Sequence, residues 1–316
     1  MESCLVATDI GFGNAKGVGA GQSVVTPSVV AVPVGDLGLA GLGMKTVRQA
    51  TRIAFDRGDF YVGPEARSWG RVVENMDFSR LASPETEALF YAVLTGLVPD
   101  GASVRLVIGL PVPLLRDEAV ARPLLETLRS RLVRTHAVRV NGQPFGFTVT
   151  GVRAAAQPMG AWADWALDGE GRWAHPTGRT ALVAVLDIGF NTLDLYGVRG
   201  GRLEPRLVGG EKVGVRRLLD LSAPGVAYHE ANEQLRAGKV SAEGLAVWFS
   251  ELVGTAERVW NGTRPDLLLL VGGGAVLLRE RVEALRRAFQ VEVIVPEDPV
   301  LANARGLWKW GQTVRW

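Results

Sequence analysis

Cysteine is almost absent from this chain of 316 residues: Cys4 stands alone, and only three histidines accompany it. A single thiol excludes an internal disulfide and a multi-thiolate zinc centre, and so few imidazoles leave no expectation of a structural metal. Lysine is scarce too, with five among 35 basic residues, the other thirty being arginine. A formal charge of +2 is too small for a protein held on nucleic acid by its own field, so no direct nucleic-acid partner is expected. Long apolar runs are also missing. The run 267–271 falls far short of the roughly 20 residues that cross a bilayer, and no basic region with a long apolar segment opens the chain. These absences predict a cytoplasmic protein without membrane contact.

Glycine is plentiful, at 39 residues, and hydrophobic content reaches 47%. The length exceeds what one core usually supports, which predicts two lobes. Some of the glycines sit in a repeated motif. Asp9-Ile-Gly-Phe-Gly-Asn-Ala-Lys16 recurs, altered, as Asp187-Ile-Gly-Phe-Asn-Thr-Leu-Asp194. Each copy follows an apolar run and precedes another β-prone one. An aspartate ending a strand at a glycine turn stands beside exposed backbone N–H groups, which can cradle phosphate oxygens while the carboxylate holds hydrated Mg²⁺. In the first copy Gly11 and Gly13 free the backbone and Lys16 can reach a phosphate as a point charge. A tight hairpin with a surface lysine fits that copy equally well. In the second, Asp187 can order a Mg²⁺-bound water, Gly189 allows close approach, Thr192 offers a hydroxyl, and Asp194 suits a turn-stabilising role.

Between and beyond the copies the pattern alternates strands and helices. Residues 5–33 read as two or three strands closed by glycine turns, and the glycine-rich stretch from 35 to about 75 as a small inserted subdomain. Ser83-Pro-Glu-Thr-Glu87 supplies an N-cap and a first-turn proline for a helix running to about 97. Strands are expected at 104–110, 145–152, 181–186, 267–271 and 291–295. Helices are expected at 114–134, at 154–166, over most of 211–260, at about 275–289 and after Asp298. The polar, glycine-rich stretch 168–179 is the expected interlobe linker. Gly272-Gly-Gly274 follows a buried strand and opens a helix, where a flat ring or ribose can lie against the backbone; three glycines are entropically costly for a mere turn. Gln157 begins a helix after a strand, a position from which an amide can orient an attacking water or simply cap.

Together these segments resemble the actin-like ATPase superfamily, and within it the plasmid-segregation actins of the ParM/StbA type and their archaeal actin-like relatives. Residues 9–17 are similar to that family's first phosphate motif, 186–194 to its second, and 268–278 to its adenosine motif. Residues 154–161 and 298–311 are similar to its two connecting helices. The resemblance implies an α/β, actin-like fold of two ribonuclease-H-like lobes with a nucleotide cleft between them. Lobe I would be residues 1–168, completed by the C-terminal helix at 300–316, and lobe II residues 180–299 with a helical insert at 211–260. It further implies ATP/ADP and Mg²⁺ as cofactors, with GTP as an alternative base. Gln157, Asp187 and Asp9 would be catalytic, Asp9 and Asp187 meeting Mg²⁺ through water. Gly11, Phe12, Gly13, Asn14 and Lys16, then Gly189, Phe190, Asn191 and Thr192, would line the phosphates. Gly272, Gly273 and Gly274, with Lys212 and Arg216, would meet the nucleoside. Phe12 departs from the serine of conventional actins, leaving the first loop to its backbone donors.

The activity so implied is ATP hydrolysis coupled to filament assembly, the chain being its own partner, with a DNA-binding adaptor for plasmid segregation or intracellular positioning. A small-molecule (sugar-type) kinase of the same superfamily is one alternative, and Asp164 and Asp168 offer it only weak catalytic candidates. A weakly hydrolysing nucleotide-binding scaffold is the other. The tail carries Trp308, Trp310 and Trp316 interleaved with Lys309 and Arg315, a composition also found at membrane surfaces. Its apolar stretch is short, so packing of Trp308 into the first lobe is expected instead.

Overall fold

The computed structural model describes residues 3–34 and 50–316. The chain divides into two compact units, Met1–Leu106 with Pro123–Val152, and Val107–Arg122 with Arg153–Trp316.

The first unit opens with an antiparallel meander of β1 (Cys4–Ile10), β2 (Asn14–Gly19) and β3 (Gln22–Pro27). Then come β4 (Val30–Pro33), β5 (Thr51–Phe55), β6 (Gly58–Val62), β7 (Gly70–Val72), α1 (Pro84–Leu94) and β8 (Ala102–Leu110). After α2 (Val112–Leu115), which lies in the second unit, come α3 (Glu118–Leu132), β9 (Thr135–Val140) and β10 (Gln143–Ala156). Among the described residues the ten strands form one sheet, ordered β3-β2-β1-β8-β10-β9-β5-β6-β4-β7. β1 is buried along nearly its whole length, as its unbroken apolar run requires of a central strand. α1 begins as expected: the Ser83 hydroxyl accepts from Thr86 N at 3.3 Å, with proline in the first turn.

Of the subdomain expected at about 35–75, residues 35–49 lie outside the described residues. The rest, β5 to β7, extends the main sheet through the pairing of Ile53 with Val140 and Ala54 with Arg139. The helix expected at 114–134 is two pieces, because the Asp117 carboxylate accepts from Ala119 N at 3.1 Å and starts α3 afresh.

The second unit holds α4 (Gln157–Ala166), β11 (Leu182–Ile188), β12 (Leu193–Arg199), β13 (Arg202–Leu203), β14 (Gly209–Glu211), α5 (Val215–Ser222), α6 (Tyr228–Arg236) and α7 (Ala242–Trp260). It ends with β15 (Leu267–Val271), α8 (Gly273–Leu277), α9 (Val282–Phe289), β16 (Glu292–Ile294) and α10 (Ala302–Gly311). Its sheet runs β13-β12-β11-β15-β16, with β14 also on β12. β11 shows why helices cover both faces. Leu182, Ala184, Leu186 and Ile188 pack into one core with Trp248, Leu252 and Trp260 of α7. Val183 and Val185 pack into another with Ala161, Trp162 and Ala163 of α4 and Ala302 of α10. The period of two along the strand therefore sends Asp187 to the face covered by α4 and α10.

One expectation is corrected here, and two further segments are described by the unit with which they group. α4 starts at Gln157, not 154, because a helix begun at 154 would need the missing N–H of Pro158 to bond the Ala154 carbonyl; β10 runs to Ala156 instead. The stretch 168–179 lies inside the second unit and is folded onto itself, with Asp168 accepting from Arg172 N at 2.9 Å and Nε at 2.9 Å and Trp162 edge-on to Trp173. The final helix also groups with the second unit; Leu307 is its largest buried apolar side chain, and Trp308 is half-buried.

Candidate functional site

The repeated sequence folds into the same turn twice. In the first hairpin Asp9 faces Lys16 and Ile10 faces Ala15; in the second Asp187 faces Asp194 and Ile188 faces Leu193. Each turn is closed by one bond, Gly11 N to Asn14 O at 3.0 Å and Gly189 N to Thr192 O at 2.9 Å. In both, a phenylalanine follows the glycine and meets a second ring edge-on: Phe12 with Phe78 at 6.0 Å, Phe190 with Tyr228 at 6.2 Å.

The first loop turns its carbonyls into the protein. Ser28 Oγ donates to Gly11 O at 2.6 Å, and Ser28 N donates to Gly13 O at 3.1 Å. The N–H groups of Phe12 and Gly13 bond no partner among the described residues, which leaves them as donors for an anion. Lys16 is not a surface lysine: its ammonium lies 2.6 Å from Asp9 Oδ2, and both side chains are buried. Phe12 packs against Phe78 and under the Arg80 guanidinium, 4.5 Å from its ring centre. Arg80 also donates to Gly11 O at 3.2 Å. Nothing in the motif pointed to Arg80. Its signal is the Asp77 cap on Ser79 N, 2.8 Å, which fixes the 3-10 turn Phe78–Ala82.

The second loop rests on the start of α5. Gly189 O accepts from Val215 N at 3.0 Å and Phe190 O from Arg216 N at 2.7 Å. Arg216 Nη1 donates to Asn191 Oδ1 at 3.1 Å, and its guanidinium lies 5.0 Å from the Tyr228 ring centre. Asn191 and Thr192 are buried; Lys212 is exposed and is not drawn into this cluster. Asp194 accepts from Val112 N at 3.1 Å, capping α2.

Asp187 is the centre of the second unit's polar residues. Its Oδ2 accepts from Asn303 Nδ2 at 2.7 Å, a partner from the Asp298-Pro-Val-Leu-Ala-Asn-Ala segment. Asp298 Oδ1 accepts from Val300 N at 3.1 Å and Leu301 N at 3.2 Å, Pro299 O accepts from Gly272 N at 2.9 Å, and α10 then presents Asn303. Gln157 opens α4 on the same face of β11.

The three glycines differ. Gly272 has φ +85°, and a Cβ there would stand 2.5 Å from Ile188 O and 2.6 Å from Asp187 Oδ1. A Cβ on Gly274 would strike the Ile188 side chain. A Cβ on Gly273 would meet nothing within 4 Å. Packing explains the first and third glycine, and leaves the second with open space above it.

Residues 7–160 match the family model for the actin like proteins N terminal domain. No curated protein matches the sequence at a significant level. Among solved structures, the archaeal actin homolog Ta0583 is 22% identical with a TM-score of 0.76, covering 98% of this chain and 100% of its own; Ta0583 has also been solved in complex with ADP. The apo psk41 ParM protein is 16% identical with a TM-score of 0.74, covering 99% and 98%. ParM in a 15-stranded filament from Clostridium botulinum is 15% identical with a TM-score of 0.71, covering 99% and 100%. Residues 7–160 thus resemble the N-terminal domain of actin-like proteins, and nearly the whole length of the chain has the actin-like fold of Ta0583 and ParM.

Proposed function

We propose that this protein is an actin-like ATPase that binds ATP with Mg²⁺, hydrolyses it, and assembles into filaments that disassemble after hydrolysis, positioning DNA through an adaptor. The observation that carries the reading is the doubled Asp-Ile-Gly-Phe turn. Each copy ends a buried strand with a carboxylate, and the first leaves two adjacent N–H groups without a partner among the described residues. The ADP complex of Ta0583 and the filament of ParM support nucleotide binding and self-assembly.

The donors fit Mg²⁺. Among the described residues no group of three or more His, Cys, Asp or Glu could cage a metal, whereas Mg²⁺ characteristically takes one or two carboxylates with phosphate oxygens and water. Asp9 in the first unit and Asp187 in the second each offer a carboxylate that would meet it through water, and when bound it neutralises charge on the transferring phosphoryl group. Lys16, already paired with Asp9, adds a fixed positive charge beside the first loop. Asp187, oriented by Asn303, serves as acceptor for the attacking water, and Gln157 positions that water. The loops Gly11 to Asn14 and Gly189 to Thr192 serve the phosphates, and Gly273 faces the nucleoside. Arg216, held by Asn191 and Tyr228, flanks it, and exposed Lys212 contributes a surface charge. A sugar-type kinase is disfavoured because Asp164 is consumed by Arg305, at 2.8 and 2.5 Å, and by Lys309 at 2.8 Å.

Phosphate release under saturating ATP tests the reading. Asp187→Ala is expected to abolish release while a fluorescent ATP analogue still binds; unaltered release would remove Asp187 from the mechanism. Gln157→Ala is expected to slow release by about 10²–10⁴-fold, the usual range for a proton-handling or water-positioning group.

A further inference from the structure

Arg80 is a charge without a counter-charge. Its side chain is 8% exposed, and among the described residues no carboxylate lies within ion-pair distance of it. The contacts it does make are neutral: the Gly11 carbonyl at 3.2 Å and the Phe12 ring at 4.5 Å. Burial pushes its pKa down to about 10, with only the field of Glu85 opposing. A buried guanidinium that lacks an acid destabilises a fold unless something else uses its charge. Other cations in the first unit are paired: buried Lys16 has Asp9, and partly buried Arg57 has Glu87 at 2.5 Å.

What Arg80 touches is the loop whose Phe12 and Gly13 N–H groups are unpaired. It grips that loop at a carbonyl and at a ring, from a 3-10 turn fixed by Asp77. Losing it would release both the backbone and the side chain of the loop. Resting on the ATPase reading above, we infer that Arg80 is a positioning residue for the first phosphate loop. It holds Gly11 and Phe12 so that the loop's donors face the nucleotide, and it makes the loop favour the more highly charged triphosphate over the diphosphate. The attraction of one fixed cation grows with the charge of the anion near it, so the γ-phosphate gains more from Arg80 than the diphosphate does.

The test pairs Arg80→Met with Arg80→Lys and measures affinity for fluorescent ATP and ADP analogues beside the melting temperature without nucleotide. Arg80→Met is expected to weaken ATP binding roughly tenfold, about 1.4 kcal/mol, and ADP binding much less. Its nucleotide-free melting temperature should equal or exceed that of the wild type, since an unpaired buried charge has gone. Arg80→Lys, keeping the charge, should restore most of the ATP preference. Equal losses for ATP and ADP, or a fall in the melting temperature or failure of Arg80→Met to fold, would make Arg80 a structural residue and overturn the inference alone. A wild-type protein that binds neither nucleotide would overturn the ATPase reading as well.

Discussion

At the residue scale, three consecutive glycines carry two different kinds of requirement. Gly272 is bound to the fold by its left-handed backbone and by the atoms of Asp187 and Ile188 against it. A Cβ on Gly273 would meet nothing within 4 Å among the described residues. Gly273→Val is therefore expected to keep the wild-type melting temperature and lose affinity for a fluorescent ATP analogue, while Gly272→Val should lower the melting temperature, since a β-branched residue resists positive φ. Wild-type affinity in folded Gly273→Val would mean that the open space is not the nucleoside's. The run of glycines was plain in the sequence, but which member has open space beside it was not, because spacing cannot separate close approach from open volume. Asn303 was legible only as part of a motif. Its bond to Asp187 spans 116 positions, beyond any local pattern. Asn303→Ala is expected to cut phosphate release about 10- to 100-fold, the usual cost of removing a group that orients a working ligand, with ATP affinity little changed; unchanged turnover would leave Asp187 oriented by other means.

At the scale of elements, both hairpins were legible because an aspartate, a glycine turn and flanking apolar runs are all local signals. β5 and β9 were not read, although each forms a local hairpin, β5 with β6 and β9 with β10 across the left-handed Asn141-Gly142 turn; only the pairing of β5 with β9 is tertiary. The crossing of α4 and α10 is likewise tertiary. A Cβ on Gly306 would overlap the Gly160 carbonyl, and one on Gly160 would strike Asn303 O, so the helices approach at backbone distance and Arg305 reaches Asp164 bidentately. Gly306→Val is expected to cost at least about 3 kcal/mol, the upper end of overpacking penalties, read as a lowered urea midpoint. α3 and β9 of the first unit set up a pH dependence. His136 is buried, stacked on Phe147 at 4.8 Å, 2.9 Å from Leu132 O and 3.0 Å from the Tyr91 hydroxyl. Burial lowers its pKa, assisted by Arg134 and opposed by the Leu132 carbonyl, Glu87 and Asp56. The unfolded chain takes up a proton near pH ~6.5 and the folded chain only lower, so stability present above that value is lost as the pH falls through it. The urea midpoint should drop between pH ~7.5 and ~5.5, and His136→Gln should flatten that dependence; an equal slope in the variant would assign it elsewhere.

At the scale of the molecule, the duplicated hairpin, an actin-like N-terminal domain and a fold shared with Ta0583 and ParM over nearly the full length agree. The order of motifs along the chain made that fold readable. The division into units was less so, because Val107–Arg122 joins the second unit through tertiary contacts that no composition shift marks. Among the described residues no helix is long and apolar enough to cross a membrane. What remains to be shown is that one nucleotide cycle drives assembly. The direct measurement is light scattering recorded together with phosphate release after adding Mg²⁺ and ATP to the purified protein. Scattering should rise before phosphate accumulates and then decay with it, and Asp187→Ala should hold the risen signal. Scattering that stays flat while nucleotide is bound and hydrolysed, or no phosphate release at all, would contradict a filament-forming ATPase.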